Sequence, residues 1–326
     1  MSENKAAPTG DSPALPRPPR SQWRDVWDQF KKHRGALIGA LIFLSILLGV
    51  FLGPLIYPQD ARLVPTGRDF IRLRDMRPIY VLLWDSGAKV DWAHPLGTDN
   101  IGRDLLARMM LGGQVSIAVG LAAMALSVVL GTAIGVLAGF FRRLDGPLMR
   151  LTDLFLALPL LPLLLVAVLL FREPLKAAFG VEGGIFVLIV TLVGLTSWMQ
   201  TARIVRGDVL ALKEREFVLA ARSIGTPPRR MIPRHILPNV LSPIMVSATL
   251  GIASAIITES ALSFLGFGFP PDFPTWGRLL NDAVDRMQLF PERVIWPGLA
   301  ISLTVLSVNY IGDGLRDALD PRIRGR

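Results

Sequence analysis

Few of the residues that do chemistry in proteins are gathered anywhere in this 326-residue chain. There is no cysteine, which excludes disulfides, thiolate zinc sites and thiol nucleophiles. Three histidines, His33, His94 and His235, are too scattered to suggest a metal cluster. No G-x-x-x-x-G-K-[ST] phosphate loop occurs, and neither does H-E-x-x-H or G-x-S-x-G. The expectation is no catalytic residue, no metal and no cofactor bound by this chain. What remains are charges in unusual places. Asp153, Glu259 and Asp313 stand at the ends of long apolar runs, where an ionisable group is a functional candidate but costs less than at mid-membrane. Glu259 and Asp153 are taken as candidate gating or periplasmic-face residues, against the plainer reading of interfacial or packing roles. The other concentration of charge is "FVLAARSIGTPPRRMIPRHILPN", residues 217–239, with four arginines between two apolar runs.

These residues must be held by apolar segments. The chain is 51% hydrophobic, and its apolar residues are clumped rather than alternating. Crossing a bilayer core of about 30 Å takes roughly 20 apolar residues as helix. Six spans are expected, at 36–57, 114–141, 154–171, 184–202, 240–258 and 294–311. The fold class is therefore all-α, a polytopic membrane protein. Pro159 and Pro162 keep the third span from being a straight, fully bonded helix. The net charge of +9 reads as basic loops held on the cytoplasmic side, not as a nucleic-acid partner. Arg142 and Arg143, the arginines of 203–234 and those of 316–326 all fall on one side with the basic N-terminal flank, giving N-in and C-in. The long loop 58–113 on the outer side is also rich in arginine, but long loops obey the rule poorly.

The chain divides into a Pro-rich disordered tail (1–20), an interfacial helix with the first span (21–57), a periplasmic loop (58–113), a five-span core (114–311) that contains the loop 203–239, and a C-terminal tail (312–326). Trp23, Val26, Trp27 and Phe30 share a helical face ahead of Lys31, Lys32 and Arg34. That pattern suits a helix lying in the membrane interface; the alternative is a first-turn extension of span one. Gly131, Gly135 and Gly139 form a smooth strip for close helix packing, within this chain or against another subunit. Within 217–239, Gly225 ends one helix, Thr226, Pro227 and Pro228 make a turn, and a second short helix closes at Leu237-Pro238. A DNA-binding unit has this outline, but both ends are tied to membrane helices, so it reads as a docking protrusion. After Glu259, "SALSFLGFGFPPDFPTWG" is a re-entrant or surface-lying segment.

These residues resemble the inner-membrane permeases of binding-protein-dependent ABC importers. That family's loop reads E-A-A, three residues, G, nine residues, I, one residue, L-P. Ala220-Ala221, Gly225 and Leu237-Pro238 match it, with Leu219 in place of Glu and His235 in place of Ile. Glu214 and Glu216 lie near enough to substitute for the missing acid. "HPLGTDNIGRDLLARMMLGGQVSIAVG" from His94, "ESALSFLGFGFPPDFPTWGRLL" from Glu259 and "DALDPR" at 317–322 are similar to the C-type subunit of the dipeptide, oligopeptide and nickel branch.

The resemblance implies a type I ABC importer fold in the bacterial inner membrane and a peptide substrate, with nickel or another chelate as the alternative. It implies a homologous B-type permease, two cytoplasmic ATPase subunits that bind ATP and Mg, and a periplasmic substrate-binding protein. Glu216, Ala220, Ala221, Arg222, Gly225, Thr226, Pro227, Arg230, Leu237 and Pro238 would then form the ATPase-coupling loop. Two other classes compete with it. An ion-driven carrier or channel would place acids near mid-membrane, and an intramembrane hydrolase needs a nucleophile–base pair that the spans do not offer.

Overall fold

The computed structural model describes residues 22–319. The proposed tail 1–20 and residues 320–322 of "DALDPR" lie outside them. The described residues form helices α1 (Gln22–Phe30), α2 (Arg34–Ile56), α3 (Gly67–Leu73), α4 (Leu105–Phe140), α5 (Arg142–Ala157), α6 (Leu160–Leu195), α7 (Trp198–Lys213), α8 (Glu216–Ser223), α9 (Pro228–Met231), α10 (Leu237–Phe264), α11 (Trp276–Val284) and α12 (Glu292–Leu319). No strand occurs among them.

Among the described residues, five helical stretches are long and apolar enough to cross a membrane: Arg34–Ile56, Leu105–Phe140, Leu160–Lys213, Pro228–Phe264 and Glu292–Leu319. The third, at 54 residues, is not one rod. Gly180 has φ 77° and ψ 172°, outside any helix. A Cβ built on Gly184 would lie 2.6 Å from the Leu175 carbonyl carbon and 2.7 Å from the Lys176 Cα. Nine residues of continuous helix would separate these groups by about 13 Å. The chain therefore doubles back at Gly180, and the stretch holds two arms where the sequence reading placed its third and fourth spans. The break at Pro159 ends α5 and starts α6. Pro162 falls in the first turn of α6, where its missing N–H costs little.

Helix α4 is the central post and packs against α2, α5, α6, α7, α10, α11 and α12. It begins at Leu105, nine residues before the expected span, because Asp104 caps it by accepting from the Ala107 N–H at 2.6 Å. Its glycine strip faces α7 of the same chain. A Cβ on Gly131 would lie 2.7 Å from the Trp198 carbonyl oxygen, one on Gly135 2.6 Å from that of Ala202, and one on Gly139 2.7 Å from the Val209 Cβ. Real side chains never come that close, so glycine is what lets the two backbones meet.

The N-terminal segment forms two helices, not an extension of one. Lys31 and Lys32 make the turn, and His33 Nδ1 caps α2 by accepting from the Ala36 N–H at 2.9 Å. Val26 is buried, Phe30 lies against Gly314 of α12, and Trp27 stays exposed. At the opposite end, the segment read as re-entrant or surface-lying (260–277) holds the last turn of α10, a non-helical loop and the first two residues of α11. Trp276 is buried against Gly113 and its Nε1 donates to the Met109 carbonyl at 3.0 Å. It reaches the level of Val50, six residues inside the end of α2, about 9 Å deep.

Contacts at the Gly180 bend put it on the same face as the loop after α2. Arg62 pairs with Glu182 at 2.8 Å, and Arg172 donates to the Gly268 carbonyl at 3.4 Å. Helices α8 and α9 sit at the other end of α4. Because the chain is free of cysteine, this arrangement is directly testable. Ser86→Cys and Glu182→Cys should react with a membrane-impermeant maleimide from one side of sealed vesicles, and Ser223→Cys only from the other.

Candidate functional site

The segment 203–239 builds a stiff elbow. Helix α8 carries Val218 and Ala221 on its inner face, where they join Val136 of α4, Val205 and Val209 of α7, and Met231, Ile236 and Val240. Its end is fixed by two hydrogen bonds: Gly225 N–H to the Arg222 carbonyl at 2.9 Å, and Thr226 N–H to the Ala221 carbonyl at 3.0 Å. This double closure needs a left-handed residue, and Gly225 supplies it at φ 79°. Pro227 then caps α9, with Pro228 in its first turn. Pro233 and Pro238 have no N–H to donate, and between them the helix widens to a π turn in which Leu237 N–H bonds the Ile232 carbonyl.

The structure gathers the predicted loop residues at one end of the molecule but divides them by role. Ala221 is buried and Leu237 and Thr226 are half-buried, so they support the elbow. Glu216, Ala220, Arg222, Gly225, Pro227, Arg230 and Pro238 are exposed. So are Phe217, Leu219 and Ile224, the last at 84%. Leu219, which departs from the family's acid, belongs to an exposed apolar patch. Glu216 stands in the first turn of α8, where a carboxylate favours the helix dipole. An apolar patch rimmed by arginines on a rigid projection has the chemistry of a protein-docking surface.

The elbow is joined to the rest by polar ties. Lys213 donates to the Gly139 carbonyl at 3.0 Å, between the ends of α7 and α4. Arg206 grips Asp145 of α5 through two bonds, at 2.5 and 2.8 Å. That hydrogen-bonded guanidinium holds the Asp145 carboxyl below its ordinary range. Asp153 pairs with Arg203 at 2.5 Å, exposed on the same α5–α7 face.

Glu259 is far from that face. Helix α10 runs on to Phe264 and α11 closes over it, so Glu259 is fully buried rather than at an open span end. It accepts from Ser263 Oγ at 2.7 Å and from Ser116 Oγ at 3.0 Å. Ser116 also accepts from the Trp276 N–H at 3.3 Å, so the acid ties α4, α10 and α11 together. Asp153 lies near the level of Gly135, nineteen residues along α4 from Ser116, which is about 28 Å of helix. The two acids do not form one site.

The sequence reading assigned no roles within "HPLGTDNIGRD", and the structure supplies them. Asp99 receives Arg103 Nε at 2.7 Å and Arg108 NH1 at 2.6 Å, all three buried. Arg108 also reaches Asp282 of α11 at 3.1 Å, and both arginines bond the Pro271 carbonyl. Asp104, besides capping α4, accepts from Tyr57 at 2.6 Å and faces His94 Nδ1 at 2.6 Å. The Asp-x3-Arg spacing at 99–103 was the available signal. This clamp fixes the first end of α4 as the elbow's ties fix the last.

Burial raises the Asp99 carboxyl, yet Arg108 and Arg103 outweigh it and hold it below the usual range. A depressed acid stabilises above its unfolded pKa, near 3.9, and loses that contribution as pH falls through its folded value. At neutral pH, Asp99→Asn leaves Arg108 short of a buried partner. It should cost about 3 kcal/mol, seen as a lower aggregation temperature in detergent.

Comparison with known proteins fits this geometry. Residues 131–325 match the family model of the binding-protein-dependent transport system inner membrane component, and 21–70 match that of the N-terminal TM domain of oligopeptide transport permease C. The chain is 34% identical to the oligopeptide transport system permease protein OppC of Bacillus subtilis (strain 168), over 99% of this chain and 97% of that protein. It is 35% identical to the dipeptide transport system permease protein DppC of Alkalihalophilus pseudofirmus, over 93% and 91%. It is 37% identical to the di/tripeptide transport system permease protein DppC of Pseudomonas aeruginosa (strain UCBPP-PA14), over 98% and 97%. With its glycine-seamed helices and its elbow built from the loop 203–239, the chain belongs to the family of inner-membrane components of binding-protein-dependent transport systems.

Proposed function

We propose that this chain is one transmembrane half of an ATP-driven importer of di- or oligopeptides, coupled to its motor through α8 and the turn at Gly225. The observation that carries the reading is the elbow: a rigid, core-anchored projection with an exposed apolar patch, on a chain in which we find no phosphate loop. The relatives' names, which specify oligopeptide, dipeptide and di/tripeptide transport, support the peptide class.

In this reading the chain makes six passes with both termini in the cytoplasm. A homologous B-type permease forms the other half of the pathway. Two cytoplasmic ATPase subunits bind ATP and Mg, and one receives the elbow in a groove. A periplasmic binding protein delivers the peptide to the outer face. ATP-driven closure of the ATPases displaces α8. Val218 and Ala221 pass the displacement to Val205, Val209 and Val136, so α7 and α4 tilt as a unit. Inverting a two-state equilibrium from 1:99 to 99:1 takes about 5.5 kcal/mol of differential binding. A frayed elbow would dissipate the push before it reached the seam.

Gly225 tests this step. Its φ of 79° is hostile to β-branched residues and tolerable for asparagine. In the assembled complex, Gly225→Val should abolish ATP hydrolysis stimulated by peptide-loaded binding protein while the chain stays in the membrane. Gly225→Asn should retain most of it. Full stimulation in Gly225→Val would remove the coupling role.

A further inference from the structure

A cavity of about 290 Å³ opens between α4, the α5–α6 elbow, α7 and α10. Its depth can be read from the helices around it. Met124 is the twentieth of the 36 residues of α4, and Leu250 the fourteenth of the 28 of α10. The cavity therefore lies half-way along both helices. At this level the chain is interrupted: α6 ends at Leu195, α7 begins at Trp198, and Thr196 and Ser197 between them line the cavity. Irregular backbone at membrane depth is tolerated where it borders a water-filled space, and broken helices at the midplane are where transported solutes are held.

The lining has a distinct chemistry. Its polar members are Thr196, Ser197, Gln200, Thr201, Ser247 and Ser254, and among the described residues no charged side chain lines it. Thr196 Oγ1 donates to the Leu192 carbonyl at 2.8 Å, and Ser197 Oγ to the Val193 carbonyl at 2.7 Å. Their protons are spent on the broken end of α6, which leaves oxygen lone pairs facing inward. Gln200 and Ser254 are exposed, and Gln200 offers both donor and acceptor. The nearest charges along the chain, Arg203 and Asp153, are paired with each other.

We propose that the α6–α7 break and the side chains of Thr196, Ser197, Gln200, Ser247 and Ser254, with buried Thr201 hydrogen-bonded to Ser247 behind them, form a neutral substrate-contact belt that holds a passing peptide by its main-chain amides and is indifferent to the charge of its side chains. The inference rests on the peptide reading above. The physical ground is the match of groups. An extended peptide presents N–H donors and carbonyl acceptors at every residue, whatever its side chains, and the belt presents neutral acceptors and one amide. A fixed charge here would instead attract one class of peptide and repel another.

The test uses the complex of this chain with its partner subunits, reconstituted in proteoliposomes. Binding protein is preloaded with radiolabelled Ala-Lys-Ala or Ala-Glu-Ala, so that capture does not set the ratio. The wild-type complex should import the two within about threefold of each other. Gln200→Glu should shift the Lys-to-Glu uptake ratio by about fivefold or more towards the lysyl peptide, as unit charges about 4 Å apart would even in water. Gln200→Leu should slow both peptides equally. Should Gln200→Glu fail to reach the membrane, Ser254→Asp makes the same test from α10. An unchanged ratio in an active charged variant overturns the belt, and so does a strong charge bias in the wild type. No uptake of either peptide by a wild-type complex that hydrolyses ATP overturns the peptide reading itself.

Discussion

Two helix backbones can approach closely only where nothing stands on the facing Cα atoms, and the α4–α7 seam is built on that constraint. Gly131, Gly135 and Gly139 bring α4 against Trp198, Ala202 and Val209 at separations no Cβ would permit. In lipid there is little hydrophobic force to drive helices together, so close van der Waals contact must supply the adhesion. The seam does this over more than two turns. It then becomes the frame on which the elbow and the cavity half-way along α4 are both mounted. Val205 and Val209, on the seam side of α7, are also the floor on which α8 rests.

The two ends of α4 are fixed by different physics. At the elbow end the cement is apolar, with a few ties such as Lys213 to the Gly139 carbonyl and Arg206 to Asp145. At the opposite end it is ionic. Arg108 is 1% exposed and meets Asp99 and Asp282, which bind the loop after α2 and α11 to the start of α4. Buried charges must be matched closely or they cost more than they return. Such a cluster favours one arrangement over all others, whereas a hydrophobic cluster tolerates sliding. The ionic clamp therefore suits a fixed platform, and the apolar elbow suits a part that receives force and passes it on.

Much of this was legible in the sequence because membrane depth writes itself in long apolar runs. The elbow was legible because Gly225 and the Thr-Pro-Pro turn dictate backbone shape locally. Other features depended on contacts distant in sequence. The glycine strip announced close packing but not its partner, which α7 turned out to be. Glu259 looked like a span-end acid because nothing local reveals that α11 folds back over it. The reversal at Gly180 was expected only as a gap between spans, and the outer loop's ion cluster joins residues more than 170 positions apart, such as Arg108 and Asp282. Thr196, Ser197, Gln200 and Thr201 interrupt an apolar stretch, and only the cavity gave them meaning.

One claim is central: the exposed face of α8 is where an ATPase subunit grips this chain. Site-specific photocrosslinking asks this directly. A benzophenone amino acid replaces Phe217, which is 44% exposed on that face, and the assembled importer is irradiated in native membranes. The account predicts an adduct with an ATPase subunit from this position, and none from the same probe at Ser86 on the opposite face. Adducts from Phe217 confined to lipid or to the partner permease would contradict it.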